Sequence, residues 1–524
     1  QRRALAFDES YLPAKMQLCQ DLLRLGEEEE GWRLASEVYE ADAYNVVAHN
    51  LSTLHDHIKG FRSLRADGVV VRMEAREAEI YGAAVLKLLS EARDVLCKKY
   101  AVTIDEPIIV EIFPEQKDFA IRTFGLPGGV GFLGVCFGTV ITANSPASQT
   151  ENPSNWEAVL WHEFCHVITL SKTKNRMPRW LSEGISVYEE KLRNPVWGQT
   201  MTPQYLDLIE DSGVTPVSEL SAAFLHAPSP LHTMFAYYHS SLVVECLVEK
   251  HGIKALHAIL DDLANGTLIN AAIDARTGGL EQFEKDVAAF VDAKANELRE
   301  SADWSGASEI AELSDDDLEA FVEANPKSYW ARRLLAERRL ASERRDEGLK
   351  ALESLVSDVP NYTGPGTAYA GLAQAYRKSN ETALERDVLE RWAARTADSV
   401  SAFLRAVELA EDAEDWKAVV TNADRLLSVN PLLRAPHRAL ARAMEKLGTP
   451  VRAESSYRAL LAMNPVDPAG LYYQLGRVLR EQGRLEEAKL SVLKALEEAP
   501  RYRAAHRELL AIARELKSRK EASK

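Results

Sequence analysis

His162-Glu163-Phe164-Cys165-His166 is the stretch whose residue types and spacing could do chemistry. The two histidines are four positions apart. On an α-helix they would share one face, one turn apart, where they can grip a single divalent ion such as Zn²⁺. Glu163 stands beside the first of them and can take the proton of a water attacking a substrate there. All of this requires a helix. The flanks predict one: Asn155 or Ser154 is available as N-cap, Glu157 suits the first turn, and residues 156–170 contain neither glycine nor proline. Trp156, Val159, Leu160 and Val167 supply an apolar face. Cys165 lies one position before His166, off the face of the histidines, and reads as a small core residue.

A hydrolytic zinc site usually has a third protein ligand and one open position. Pro178 starts a second helical run over 178–192 and puts Glu183 in its first turns. The polar, basic connector 171–177 can reverse the chain and bring Glu183 back to the histidines. His-Glu-x-x-His followed by Trp180-Leu181-Ser182-Glu183-Gly184 resembles the gluzincin metallopeptidases, the clan of thermolysin and aminopeptidase N. The resemblance implies that Glu183 is the third zinc ligand, with one Zn²⁺ per chain and Glu163 as general base of peptide-bond hydrolysis. The gap from His166 to Glu183 is at the short end for that clan. Glu189 or Glu190, one to two turns further on, could orient a histidine, or simply be solvated.

Upstream, Val69-Val70-Val71-Arg72-Met73 follows Asp67-Gly68 and predicts a strand out of a turn. Helical periodicity covers 75–99, residues 107–113 predict a second strand, and 117–123 a short helix. This order suits the small mixed sheet that precedes the zinc helix in gluzincins. Residues 125–146 are glycine-rich. The resemblance implies that Gly134, Val135 and Cys136, in the run Gly134–Gly138, belong to an edge strand that pairs with substrate; an ordinary hairpin over the core is the alternative. Aminopeptidase N relatives carry Gly-x-Met-Glu-Asn on that strand, whereas this chain has no acidic residue from Phe119 to Thr150. Internal cleavage is therefore easier to accommodate than aminopeptidase action.

Downstream, residues 193–230 are proline-rich, with a short helix at 203–211, and 235–252 form an amphipathic helix ending at Gly252. In several gluzincins a Tyr or His on such a helix donates to the oxyanion. Tyr237 is the first candidate for that role, then Tyr238 and His239; as core aromatics they would need no such role. Residues 253–300 read as a helical lobe.

The 524-residue chain is too long for one core. Its 46% hydrophobic and 27% charged residues match a soluble globular protein, and a net charge of −16 argues against general nucleic-acid binding. Five scattered cysteines give no disulfide framework and no cysteine metal site. The longest uncharged stretch, 123–150, is broken by glycines and prolines, so no membrane span is expected. The start at Gln1-Arg2-Arg3 suggests a trimmed product, which leaves the compartment unread.

A 34-residue period frames the middle of the chain. Asp8 and Asp42 share it, as do Pro326 and Pro360, and Pro431 and Pro465, with Pro500 one residue later than the period. An aromatic or histidine follows each of these prolines: Trp330, Tyr369, His437, Tyr472, His506. Residues 472–499 resemble the tetratricopeptide repeat, with Gly476, Gly483 and Ala488 as the small positions. About five or six repeats fit in 320–515, with the register obscure near 380–400 and a frayed tail from Lys517.

The expected fold is an α+β zincin-like peptidase domain, a small mixed sheet plus a helical lobe, flanked by an all-α tetratricopeptide-repeat solenoid. Its divisions are 1–60 (the end of a repeat array, or two unrelated amphipathic helices), 61–300 (peptidase), 301–318 (acidic linker) and 319–524 (repeats). The expected function is zinc-dependent cleavage of a peptide or protein substrate, with the repeats recruiting substrate or a partner protein. A catalytically idle scaffold acting through its repeats, and zinc-dependent hydrolysis of another substrate class, are the alternatives.

Overall fold

The computed structural model describes residues 1–129, 131–149, 153–306 and 308–522. The chain divides into two compact units: Gln1–Val95 with Ile104–Phe164 and Asp398–Lys524, and Leu96–Thr103 with Cys165–Ala397.

The first unit is built on a five-stranded mixed sheet: β1 (Arg62–Ala66), β2 (Val69–Met73), β3 (Ile108–Phe113), β4 (Gly134–Cys136) and β5 (Val140–Asn144), in the order β1-β2-β3-β5-β4. Asp67 and Gly68, both in the left-handed region, make the tight turn between β1 and β2. Strands β2, β3 and β5 run parallel, and β4 folds back antiparallel on β5. The strands expected near 69 and 108 are present, and so is the short helix, Gln116–Phe124. Sequence reasoning missed β1 because Arg-Ser-Leu-Arg-Ala is an edge strand that buries none of its residues and so carries no apolar alternation.

Helices Leu12–Leu25, Glu28–Ala41 and Val46–Ile58 share a core with Phe113, Phe119 and Val135. Beneath them the buried Arg122 guanidinium pairs with Glu111 at 2.7 Å and donates to Leu23 O at 2.9 Å.

Repeat helices complete this unit as pairs: Val400–Asp412 with Trp416–Val429, Arg434–Lys446 with Pro450–Ala462, and Pro468–Glu481 with Leu485–Glu498, followed by Arg503–Ala522. A Cβ on Gly476 would lie 2.5 Å from Val492 Cγ2, so glycine sets the closeness of its pair. His437 Nε2 lies 2.7 Å from Pro431 O and His506 Nε2 lies 2.9 Å from Pro500 O. The recurring histidine thus ties each helix to the proline turn before it. The tail is helical through Ala522, anchored by buried Ile512 and by Arg519 donating to Gly483 O at 3.1 Å, so the expected fraying from Lys517 is not observed. Ser523 and Lys524 lie outside the described residues.

These repeats are stitched to the rest of the unit. Asn155 Nδ2 donates to Ser428 Oγ at 3.0 Å, Trp156 Nε1 to Leu427 O at 2.9 Å, and Arg76 Nε to Ala462 O at 3.0 Å.

The second unit is helical, with Trp180, Ile185, Leu242, Leu256, Leu260 and Phe283 buried. The acidic stretch 301–318, expected as a linker, is packed structure. Asp303 bridges to Ser328, Trp304 stacks on Tyr329 at 4.5 Å, and Ile310 is buried beside Leu318 and Leu335. The Asp-rich run is the first turn of helix Asp315–Ala324, capped by Ser314. Its acidity is helix-start chemistry, and the apolar residues around it do the packing; Ala307 lies outside the described residues. Two further pairs follow, Tyr329–Leu340 with Arg345–Asp358 and Ala368–Lys378 with Thr382–Ala393. Among the described residues no helix is long and apolar enough to cross a membrane.

Candidate metal centre

Helix α1 (Trp156–Thr173) carries the H-E-x-x-H motif. Its cap is Asn155, whose Oδ1 accepts from Glu157 N and Ala158 N, each at 3.1 Å. Ser154, the other candidate cap, donates its own N–H to Gln149 Oε1. Trp161, Phe164 and Cys165 are buried, leaving the histidine face for chemistry. Burial first, and then the Glu189 charge, push the Cys165 thiol well above its ordinary pKa, as suits an inert core group.

The chain reverses through Lys174 and Asn175, both left-handed, and enters α2 (Arg179–Arg193) behind Pro178. A Cβ on Gly184 would sit 2.5 Å from Ser240 O of α3 (Pro230–His251). Glycine after Glu183 therefore lets α2 lie directly on α3.

Ligand atoms of His162, His166 and Glu183 all lie within 4.8 Å of one another. His166 Nε2 is 3.1 Å from Glu183 Oε2, and these two side chains are 12% and 11% exposed. On the other side of the ring, His166 Nδ1 lies 2.8 Å from Ser182 Oγ and 3.3 Å from Ser186 Oγ. Two imidazoles and a carboxylate converging, His162 half-buried and the other two largely buried, with one ring pinned through Nδ1, suit a zinc ion in donor chemistry and outer support. At His166 the two serines stand where Glu189 was expected. Buried Glu189 instead accepts from Tyr100 OH at 2.6 Å and pairs with Lys99 at 2.6 Å, which makes it a structural charge.

Of the three candidate donors on α3, only Tyr237 reaches the third expected ligand. Its hydroxyl donates to Glu183 Oε1 at 3.3 Å and accepts from Arg179 Nη2 at 2.8 Å. Tyr238 is buried against Tyr205, with ring centroids 5.5 Å apart. His239 is buried and stacked on Phe235, and burial lowers its pKa to about 4.

In the sheet, β4 is the edge next to the motif's glutamate. A Cβ on Gly134 would lie 2.6 Å from Glu163 Cγ and 2.7 Å from Oε1. Leu133 O accepts from Asn144 N and Phe137 N donates to Val140 O. The odd-numbered residues thus bond inward to β5, and by alternation the backbone groups of Gly134 and Cys136 face the outer edge. No strand pairs with that edge among the described residues. Val135 is different: its side chain joins the core under the N-terminal helices. In the stretch lacking acidic residues, Val130 and Thr150 lie outside the described residues.

Sequence reasoning missed Arg179, Ser182 and Ser186. The signal available was helical spacing: Arg179 is four before Glu183, and Ser182 four before Ser186.

Among known families, residues 96–293 match the Peptidase MA superfamily and residues 469–502 match a tetratricopeptide repeat. Comparison with curated proteins returns no match. Among solved structures the chain is similar to YrrB, described as a TPR protein with an unusual peptide-binding site, at 15% identity and a TM-score of 0.28, covering 37% of this chain and 98% of that one. It is similar to MamA at 15% identity and a TM-score of 0.25, covering 32% and 90%. It is also similar to a thermophilic TPR protein of Thermus thermophilus, at 20% identity and a TM-score of 0.20, covering 36% and 99%.

Proposed function

We propose that this chain is a zinc-dependent endopeptidase of gluzincin type, whose tetratricopeptide repeats recruit the substrate or a partner protein. The observation that carries the reading is the convergence of His162, His166 and Glu183 within 4.8 Å, with Glu163 adjacent in the chain to His162. The three converging residues hold the metal. When bound, zinc supplies Lewis acidity that polarises a scissile carbonyl and lowers the pKa of water. Glu163 accepts a proton from the attacking water and passes it to the leaving amine. Tyr237 donates to the developing oxyanion, for which its hydroxyl must leave Glu183. The outward backbone groups of Gly134 and Cys136 hold an extended peptide at the β4 edge, beside Glu163. A peptide bound along an edge with no acidic anchor for a free amine is cut internally. In this reading, residues 61–300 are the peptidase segment between the helices of 1–60 and the repeats of 319–524, with 301–318 joining them as packed structure.

The test pairs metal analysis with a broad peptide-cleavage screen. Wild type should carry about one zinc per chain. His162→Ala should lose that zinc, and Glu163→Gln should keep it while losing about 10²–10⁴-fold in activity. A Glu163→Gln variant as active as wild type removes the mechanism. A zinc-loaded chain that cleaves nothing, but captures a partner through its repeats, is the idle scaffold instead.

A further inference from the structure

Arg179 opens α2, and that is a poor place for a cation. The first turn of a helix presents unsatisfied N–H groups and the positive end of the dipole. This first turn has no acidic residue to offset it. Yet the guanidinium is spread over three partners. Nε donates to Glu183 Oε1 at 3.2 Å, Nη2 donates to Tyr237 OH at 2.8 Å, and the group lies 5.2 Å from the Phe224 ring centroid. Phe224 in turn packs edge-on against Tyr237 at 5.2 Å. Glu183 therefore has its two oxygens divided: Oε2 lies toward His166 Nε2, and Oε1 lies against Arg179 and Tyr237.

We infer that Arg179 is a positioning residue for the third metal ligand, holding Glu183 by Oε1 so that Oε2 is presented to the ion. The inference rests on the zinc reading of the site. A carboxylate four residues along the same helix can be gripped by Arg at Nε while the planar fork reaches a second acceptor. Aromatic faces on Phe224 and Tyr237 keep the fork from swinging into solvent. The arrangement also sets the resting place of Tyr237: its hydroxyl is shared between Arg179 and Glu183, so the same guanidinium decides how readily that donor is released toward substrate.

The experiment compares Arg179→Met and Arg179→Lys with wild type, by chelator-competition titration of Zn²⁺ and by the visible d–d spectrum of the Co²⁺-loaded proteins. Outer partners of metal ligands are typically worth about 10–100-fold in affinity. Arg179→Met should weaken zinc binding by that factor and change the cobalt spectrum. Arg179→Lys should recover part of the affinity, because one ammonium cannot serve both acceptors in the same plane. Thermal melts of the apo proteins check folding; the side chain is 49% exposed, so little loss is expected. Wild-type zinc affinity and an unchanged cobalt spectrum in Arg179→Met would overturn the assignment while leaving the zinc site standing. A wild-type chain that binds no zinc would overturn both.

Discussion

Replacing Gly134 with alanine should separate catalysis from stability. The added Cβ would meet Glu163 Cγ at 2.6 Å, Oε1 at 2.7 Å and Cδ at 2.8 Å. Carbon contacts settle at about 3.5–4.0 Å, so strand or carboxylate must yield by about 1 Å. Gly134 has no left-handed backbone requirement, and alanine in a strand recovers about 0.5–1 kcal/mol of chain entropy. Against that stands an overpacking cost near the low end of about 1–3 kcal/mol, because a glutamate tip can swing aside. The net change in stability should be within about 1 kcal/mol. Catalysis is less forgiving: a 1 Å displacement of a reacting group can cost about 10²-fold, or roughly 2.7 kcal/mol of barrier. The assay is kcat/KM on a quenched-fluorescence peptide taken from the cleavage screen, alongside zinc content and a thermal melt. Zinc content should not change, because Glu163 is not a ligand in this scheme. Activity within about threefold of wild type would refute the claim that β4 and the general base are in tight register.

Three other outcomes follow from the geometry. Gly184→Ala puts a Cβ 2.5 Å from Ser240 O, a backbone atom that cannot swing away, so it should cost about 1–3 kcal/mol in urea unfolding and weaken zinc binding through the neighbouring Glu183. Lys99→Met leaves the 3%-exposed Glu189 side chain with the Tyr100 hydroxyl but without its cation; calorimetry should show a loss of about 3 kcal/mol. His239 stays neutral in the folded chain down to about pH 4, against 6.5 when unfolded. Its contribution is complete above pH 6.5 and is lost as pH falls toward 4, about 3 kcal/mol in all. A His239→Gln variant should flatten the slope of unfolding midpoint against pH in that window.

Much of this molecule is legible in the sequence because the signals are local. The motif helix, a cap at Asn155 or Ser154 and the entry of the second helix at Pro178 depend on residues within a turn of one another. The repeats are legible for the same reason, since a period survives any tertiary arrangement. What escaped reading was relational. Gly184 and Gly134 were letters of a pattern until Ser240 and Glu163 came to lie against them. Glu189 looked like a solvated helix-end acid until Tyr100, distant in the chain, supplied its hydroxyl. The stretch 301–318 was read by its charge, while its fate was decided by Trp304 and Ile310. The 34-residue rhythm was hard to follow near 380–400, downstream of an extra loop between Asp358 and Ala368. There Tyr362 OH bonds Pro365 O at 2.6 Å and Tyr329 OH bonds Gly366 O at 3.0 Å.

The bonds from Asn155 and Trp156 to Ser428 and Leu427 span 273 and 271 residues of chain. On a ribosome adding about 5–20 residues per second, the cap of the metal helix waits tens of seconds for those partners. During that wait the glutamate and histidines are already synthesised, but the scaffold that fixes the start of their helix is not. If the chain cleaves peptides as proposed, its motif helix gains those two anchors only once the pair Val400–Asp412 and Trp416–Val429 has been made, ahead of two further pairs and the helix Arg503–Ala522.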